Sequence, residues 1–282
     1  MSLESSGRRR IWLCADDYGL SPAVSAGIRD LVARGRLNAV SVLVAAPTFQ
    51  RSEAVSLDAL HSVASRAAIG LHIALTAPFR PTRADFAPAS EGGFLPIAAT
   101  FRHALSGRFS HDALVAEITD QMRTFVDCFG RTPDFVDGHQ HVHLFPRIRD
   151  AVLEVVKETA PRAWVRQCGR VTPLAARFGD GKGLFLDLMS YRFRRRAAAL
   201  GLATNPGFAG TYYFEDDADF TALFPRFLDR IPDGGVVMCH PGFVDAELVR
   251  LDPVTTSREK EYAFFADDAF PALLERHGVT LA

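Results

Sequence analysis

The sequence predicts an α/β fold, a TIM-barrel-like (β/α) barrel, closed or incomplete, of seven or eight strands. Short β-branched apolar runs alternate along the chain with longer helical patterns, which implies parallel strands joined by right-handed crossovers. The unusual polar residues fall at the C-terminal ends of those strands, the rim where catalytic groups converge in such barrels. A length of 282 residues, 48% of them hydrophobic, suffices for a large core and is ordinary for one α/β barrel. A single catalytic domain over 1–282 is therefore expected.

Ile11 to Ala15 reads as the first strand. Ser21 then caps a helix through Val32, with Pro22 in the first turn, where its missing N–H leaves no bond unmade. Ala39 to Ala45 is a second strand stopped by Pro47, Ser56 to Ser65 a helix, and Ala68 to Leu75 a third strand. From Ala77 to Ile97 the prolines and glycines rule out regular structure, and loops this long often serve as lids or substrate walls. Ser110 to Phe129 is a strongly amphipathic helix, capped by Ser110 and ended near Gly130. Then follow a strand at Phe135 to His139, a helix at Arg147 to Thr159, a strand at Ala163 to Gln167 and a helix at Leu184 to Leu200. Thr211 to Phe214 is a weak strand or loop, Asp219 to Arg230 a helix and Gly235 to His240 a strand. A last helix near Asp268 to Arg276 leads into Val279 to Leu281. Residues 77–101 and 170–215 are expected to be insertions on the substrate side.

A net charge of -1 supplies no field to gather a polyanion, and the clusters Arg8 to Arg10 and Arg192 to Arg196 are short. Nucleic-acid binding is not expected; the second cluster reads as the solvated face of a helix. The first seven residues are polar, and no stretch approaches the roughly 20 apolar residues that span a bilayer. A cytoplasmic protein without membrane contact is expected. Cys14, Cys128, Cys168 and Cys239 are far apart and form no C-x-x-C pair, so they read as small buried residues.

The segment Asp137-Gly138-His139-Gln140-His141-Val142-His143 puts one carboxylate and three imidazoles into seven residues. On an extended strand Asp137, His139, His141 and His143 would share one face. At roughly 3.3 Å per residue the first and third imidazoles would lie about 13 Å apart, so at most two could bind one ion. The missing ligands must come from elsewhere. Asp16 and Asp17 end the first strand, His72 lies late in the third and His240 ends a late one. A buried carboxylate pair persists best when a cation neutralises one member and leaves the other free to take a proton. Around His72, the small residues Gly70, Ala74 and Thr76 on its face would leave room for an ion and substrate.

These segments resemble the YdjC-like carbohydrate deacetylases, a family that includes bacterial chitooligosaccharide deacetylases. The resemblance rests on Ala15 to Ser21, Ile69 to Thr76, Phe129 to Pro133, Asp137 to His143 and Met238 to Phe243, in the family's order and across almost the whole chain. It implies a barrel-like fold and one divalent metal ion held by Asp17, His72 and His139, with Asp16 as the neighbouring base. It also implies an N-acetylated sugar or oligosaccharide as substrate, released acetate as product, and a homodimer.

The chemistry of those side chains agrees with what the resemblance implies. A three-ligand metal with an open position lowers the pKa of bound water towards about 7, and the same ion polarises an acetyl carbonyl. Asp16 could accept the water's proton. The amine leaving group needs a general acid, for which His240 is the first candidate and His141 or His143 the second. Two histidines and a carboxylate suit Zn, whereas Mg would bind with additional waters. Tyr18, Phe79, Phe94, Trp164, Tyr212 and Tyr213 are candidates to stack on a sugar. The alternatives are another barrel metallohydrolase, an amidohydrolase or phosphoesterase, or a metal-stabilised sugar-binding protein with no need of Asp16.

Overall fold

A computed structural model describes residues 7–60, 67–171 and 181–281. Its strands are β1 (Arg9–Tyr18), β2 (Ala39–Val42), β3 (Ala68–Ile73), β4 (Phe135–Gly138), β5 (Trp164–Val165), β6 (Phe208–Ala209), β7 (Val236–Cys239) and β8 (Val279–Leu281). They form one parallel sheet in the order β5-β4-β3-β2-β1-β7-β6, with β8 paired to the first residues of β1. Consecutive strands lie side by side, so the sheet curls into an incomplete barrel. Between its edges the only main-chain links among the described residues are isolated bridges, Val165 to Thr204 and Arg170 to Phe208.

The helices are α1 (Pro22–Ala33), α2 (Arg51–Asp58), α3 (Ile97–Ser106), α4 (His111–Phe129), α5 (Ile148–Thr159), α6 (Gly181–Ala199), α7 (Phe220–Leu228), α8 (Ala246–Leu251), α9 (Thr256–Ala266) and α10 (Phe270–Arg276). Capping follows the residues that announce it. Ser21 Oγ accepts from Val24 N at 3.2 Å and Ser110 Oγ from Ala113 N at 3.4 Å, and Gly130 ends α4 in the left-handed region at φ 68°. Of the expected helix Ser56 to Ser65, residues 61–65 lie outside the described part, and the helix there runs earlier, over Arg51–Asp58. Residues 172–180 of the expected insertion 170–215 and 1–6 of the polar N-terminus also lie outside it. The strand considered at Thr211 to Phe214 falls instead at Phe208–Ala209, while α3, α8 and α9 join the expected helices. Among the described residues no helix is long and apolar enough to cross a membrane.

Two local departures shape the rim. The register of β1 on β2 pairs Ala15 with Val40 and Tyr18 with Val42, so β1 carries one extra residue at Asp16 and Asp17, with Asp17 at φ 68°. In a regular strand neighbouring side chains point to opposite faces; a bulge of this kind frees both carboxylates to serve one site. The histidine run is not a strand. After Gly138 the chain turns into a 3-10 segment over His139–Leu144, and Gln140 and His141 take left-handed conformations at φ 53° and 59°. The expected common face of Asp137, His139, His141 and His143 is therefore broken, and each imidazole meets different surroundings.

Candidate active site

β1, β3 and the turn after β4 bring three side chains together. Ligand atoms of Asp17, His72 and His139 all lie within 4.8 Å of one another, and all three residues are buried. Asp17 Oδ1 is 2.9 Å from His139 Nδ1 and 3.4 Å from His72 Nε2, while its Oδ2 accepts from Arg258 Nη2 at 2.6 Å. Burial disfavours the Asp17 charge, yet Arg258 and His139 outweigh it and hold the carboxyl well below the usual carboxylate range.

His72 is oriented from behind. It sits directly across from Asp137 in the β3–β4 register, and its Nδ1 is 2.6 Å from Asp137 Oδ1. Ser41 Oγ, from β2, donates to the same carboxylate oxygen at 2.5 Å. The imidazole thus gives its Nδ1–H to Asp137 and turns Nε2 towards Asp17, the arrangement of a metal-ligating histidine held by a carboxylate. Burial opposes the charge on His72, but Asp137 and Asp16 outweigh it and raise the pKa of the imidazole to about 10. Asp137 belongs to this supporting layer rather than to the ligand set.

Asp16 faces a different partner. Both of its oxygens accept from Arg166, at 2.7 Å each, and Arg166 Nη2 also lies 2.5 Å from Asp137 Oδ2 and 3.0 Å from Cys14 Sγ. Cys14, Asp16 and Asp137 could by themselves be taken for a second ion site. The guanidinium already occupies its centre and neutralises both acids, so no cation is needed there. A bidentate fork of this type fixes the plane of the Asp16 carboxylate.

The remaining histidines separate by environment. His240, at the end of β7, lines the cavity in front of the cluster; burial pushes it down to about 4, and its Nδ1 has no hydrogen-bond partner among the described residues. His141 lines the same cavity, with Nδ1 3.4 Å from Cys168 Sγ, and burial holds it well below its ordinary value. His143 lies behind, donating Nε2–H to the Arg166 carbonyl at 2.8 Å. It buttresses the arginine and is withdrawn as a proton donor. The space expected beside Gly70 is filled as well: a Cβ there would meet the Phe135 ring at 2.3 Å.

The cavity measures about 300 Å³ and is lined, beyond the cluster, by Ile97, Thr211, Tyr212, Phe214, Met238, Val254 and Arg258. Of the six aromatic candidates only Tyr212 reaches it. Tyr18, Phe79 and Phe94 are buried in the core, Trp164 stacks on Phe135 at 4.5 Å, and Tyr213 is 59% exposed elsewhere. Sequence reasoning passed over Arg166, Arg258 and Glu261. Glu261, wholly buried on α9, accepts from His240 N at 2.5 Å and from Tyr212 Oη at 2.6 Å.

Fold and geometry define the molecule as a (β/α) barrel protein that gathers buried acids and imidazoles at the C-terminal rim of its sheet. The chain belongs to the YdjC-like protein family, whose model matches residues 10–276. It is 29% identical over 241 residues to a chitooligosaccharide deacetylase of Serratia marcescens, covering 84% of this chain and 83% of that one. With the chitooligosaccharide deacetylase of Citrobacter koseri it shares 28% over 269 residues, 88% and 91% of the two chains. A solved structure from Enterococcus faecalis, provisionally described as a cellobiose-phosphate cleavage protein, superposes with a TM-score of 0.74 at 20% identity, covering 98% of this chain and 97% of that one. That likeness concerns the fold.

Proposed function

We propose that this chain is a metal-dependent hydrolase that removes the acetyl group from an N-acetylated sugar, of chitooligosaccharide type. The observation that carries the reading is the approach of Asp17, His72 and His139 to within 4.8 Å beside an Asp16 that a buried arginine holds in place. The donor set fits one divalent ion, Zn or Mg: one carboxylate and two imidazoles, with His72 already turned by Asp137 so that Nε2 faces Asp17, where a bound ion would replace the Nε2 proton. Bound there, the ion would supply Lewis acidity, lowering the pKa of a coordinated water and polarising the acetyl carbonyl.

Everything else is done by the chain. Asp16 accepts the proton of the attacking water; the bidentate fork from Arg166 keeps its carboxylate from rotating away. Arg258 holds the second oxygen of Asp17 and so leaves the first turned to the two imidazoles. His240 is the proton donor to the leaving amine. Because burial keeps it uncharged at neutral pH, it first takes up a proton, the one Asp16 removes from the water or one from solvent, as negative charge developing on the substrate raises its basicity, and then passes that proton to the amine nitrogen as the C–N bond breaks. The walls of the cavity limit water around the scissile amide.

The test is an acetate-release assay over N-acetylglucosamine oligomers and other acetamido sugars, after metal content has been measured. Wild-type protein should release acetate, and Asp16→Asn and His72→Ala should not. Acetate release that survives His72→Ala would remove the assigned site, and phosphate release in its place would move the chain to another class of hydrolase.

A further inference from the structure

Resting on the deacetylase reading, the geometry of one short segment points to how a sugar is recognised. We propose that Gly210 to Phe214, braced by Glu261, is the saccharide-binding wall of the cavity, with the Tyr212 and Phe214 rings taking the apolar face of a pyranose. Four observations support it. Gly210 sits at φ 104°, and a Cβ there would lie 2.1 Å from the Met238 carbonyl oxygen, so only glycine lets the segment lie against β7. That close approach sets Phe214 edge-on to His240, with ring centroids 5.0 Å apart. Tyr212 and Phe214 pack 4.4 Å from each other, both line the cavity and both are half-buried, so part of each ring is available to a ligand. Between Gly210 and Tyr212, Thr211 lines the cavity too, and its buried hydroxyl has no hydrogen-bond partner among the described residues, a polar atom that a ligand would satisfy.

Glu261 makes the wall rigid. Its carboxyl takes the Tyr212 hydroxyl on one oxygen and the His240 backbone N–H on the other, so one buried side chain ties the ring wall to the strand end that carries the proton donor. A sugar stacked on this wall therefore has its amide at a fixed height relative to His240. Glu261 is a positioning residue; the rings make the contact.

The test measures binding of the N-acetylglucosamine dimer by calorimetry to protein in which Asp16→Asn prevents turnover. Adding Phe214→Ala should weaken binding about tenfold, near the upper range for an aromatic contact. Phe214→Tyr should retain it, and Tyr212→Phe, which keeps the ring but frees it from Glu261, should cost about threefold. Unchanged affinity in Phe214→Ala, or equal losses in Phe214→Ala and Phe214→Tyr, would overturn the proposal. Acetate release by the wild-type protein is scored separately, so a failed deacetylase reading and a failed sugar wall give different results.

Discussion

Asp16 and Asp17 are neighbours in sequence with different partners, and the roles proposed for them follow from that difference. Arg166 grips Asp16 through both oxygens, whereas Asp17 divides its oxygens between Arg258 and two imidazoles. Asp16→Asn should lower kcat by a factor of about 100 to 10,000, the usual contribution of a positioned base; bound metal, measured by elemental analysis, should not change. Arg166→Met would strand two buried carboxylates, and urea unfolding should show a loss of about 3 to 5 kcal/mol. Glu261 predicts a pH effect. Burial raises its carboxyl from 4.5 to about 7, so between those values the folded chain holds a proton that the unfolded chain has released. Stability should therefore fall as pH rises through that window and level off above it. At roughly 1.4 kcal/mol for each tenfold change in proton affinity the loss is about 3 kcal/mol. Glu261→Gln should flatten this slope in thermal unfolding at pH 4.5 to 7.5; an unaltered slope would assign the effect elsewhere. The acids and imidazoles were legible in the sequence because their types are rare at strand ends. The arginines and Glu261 were not, since a cation that neutralises a carboxylate 150 or 241 residues away leaves no mark in local spacing.

At the scale of elements, period-2 and period-3.6 patterns located most strands and helices, with most ends within a few residues, although the helix expected at Ser56 to Ser65 runs earlier, over Arg51–Asp58. The patterns failed where the chain bends. A strand reading of residues 135–143 has no means of showing that Gln140 and His141 turn left-handed, and with that turn the shared face of the histidines disappears. The bulge at Asp16 and Asp17 is equally silent. Helix α9 escaped because three of its four buried residues, Ser257, Arg258 and Glu261, are polar, so no apolar stripe marks it in the sequence. Gly70 illustrates the reverse error, a small residue read as space for a ligand although the Phe135 ring fills it. Gly70→Ala should overpack β3 against β4 and cost about 1 to 3 kcal/mol in denaturant unfolding, with metal affinity falling in parallel as His72 shifts. Full stability in this variant would show that the ring yields freely.

For the whole molecule, the sheet order follows from the alternation of elements and from right-handed crossovers, so the barrel class was legible before any coordinate. Closed and incomplete barrels both stayed open at that level, because strands two residues long, such as β5 and β6, look like loop in sequence; the structure has the incomplete one. The parallel arrangement turns every strand's C-terminal end to one rim, and this lets residues from positions 16 to 261 meet around one cavity. The central claim is that Asp17, His72 and His139 share a single divalent ion there. It is tested most directly by counting bound ions per chain after equilibrium dialysis against Zn or Mg, for the wild type and for Asp17→Asn, His72→Ala and His139→Ala. The account predicts one ion in the wild type and about 100-fold weaker binding in each variant; an ion held with undiminished affinity by all three would contradict it.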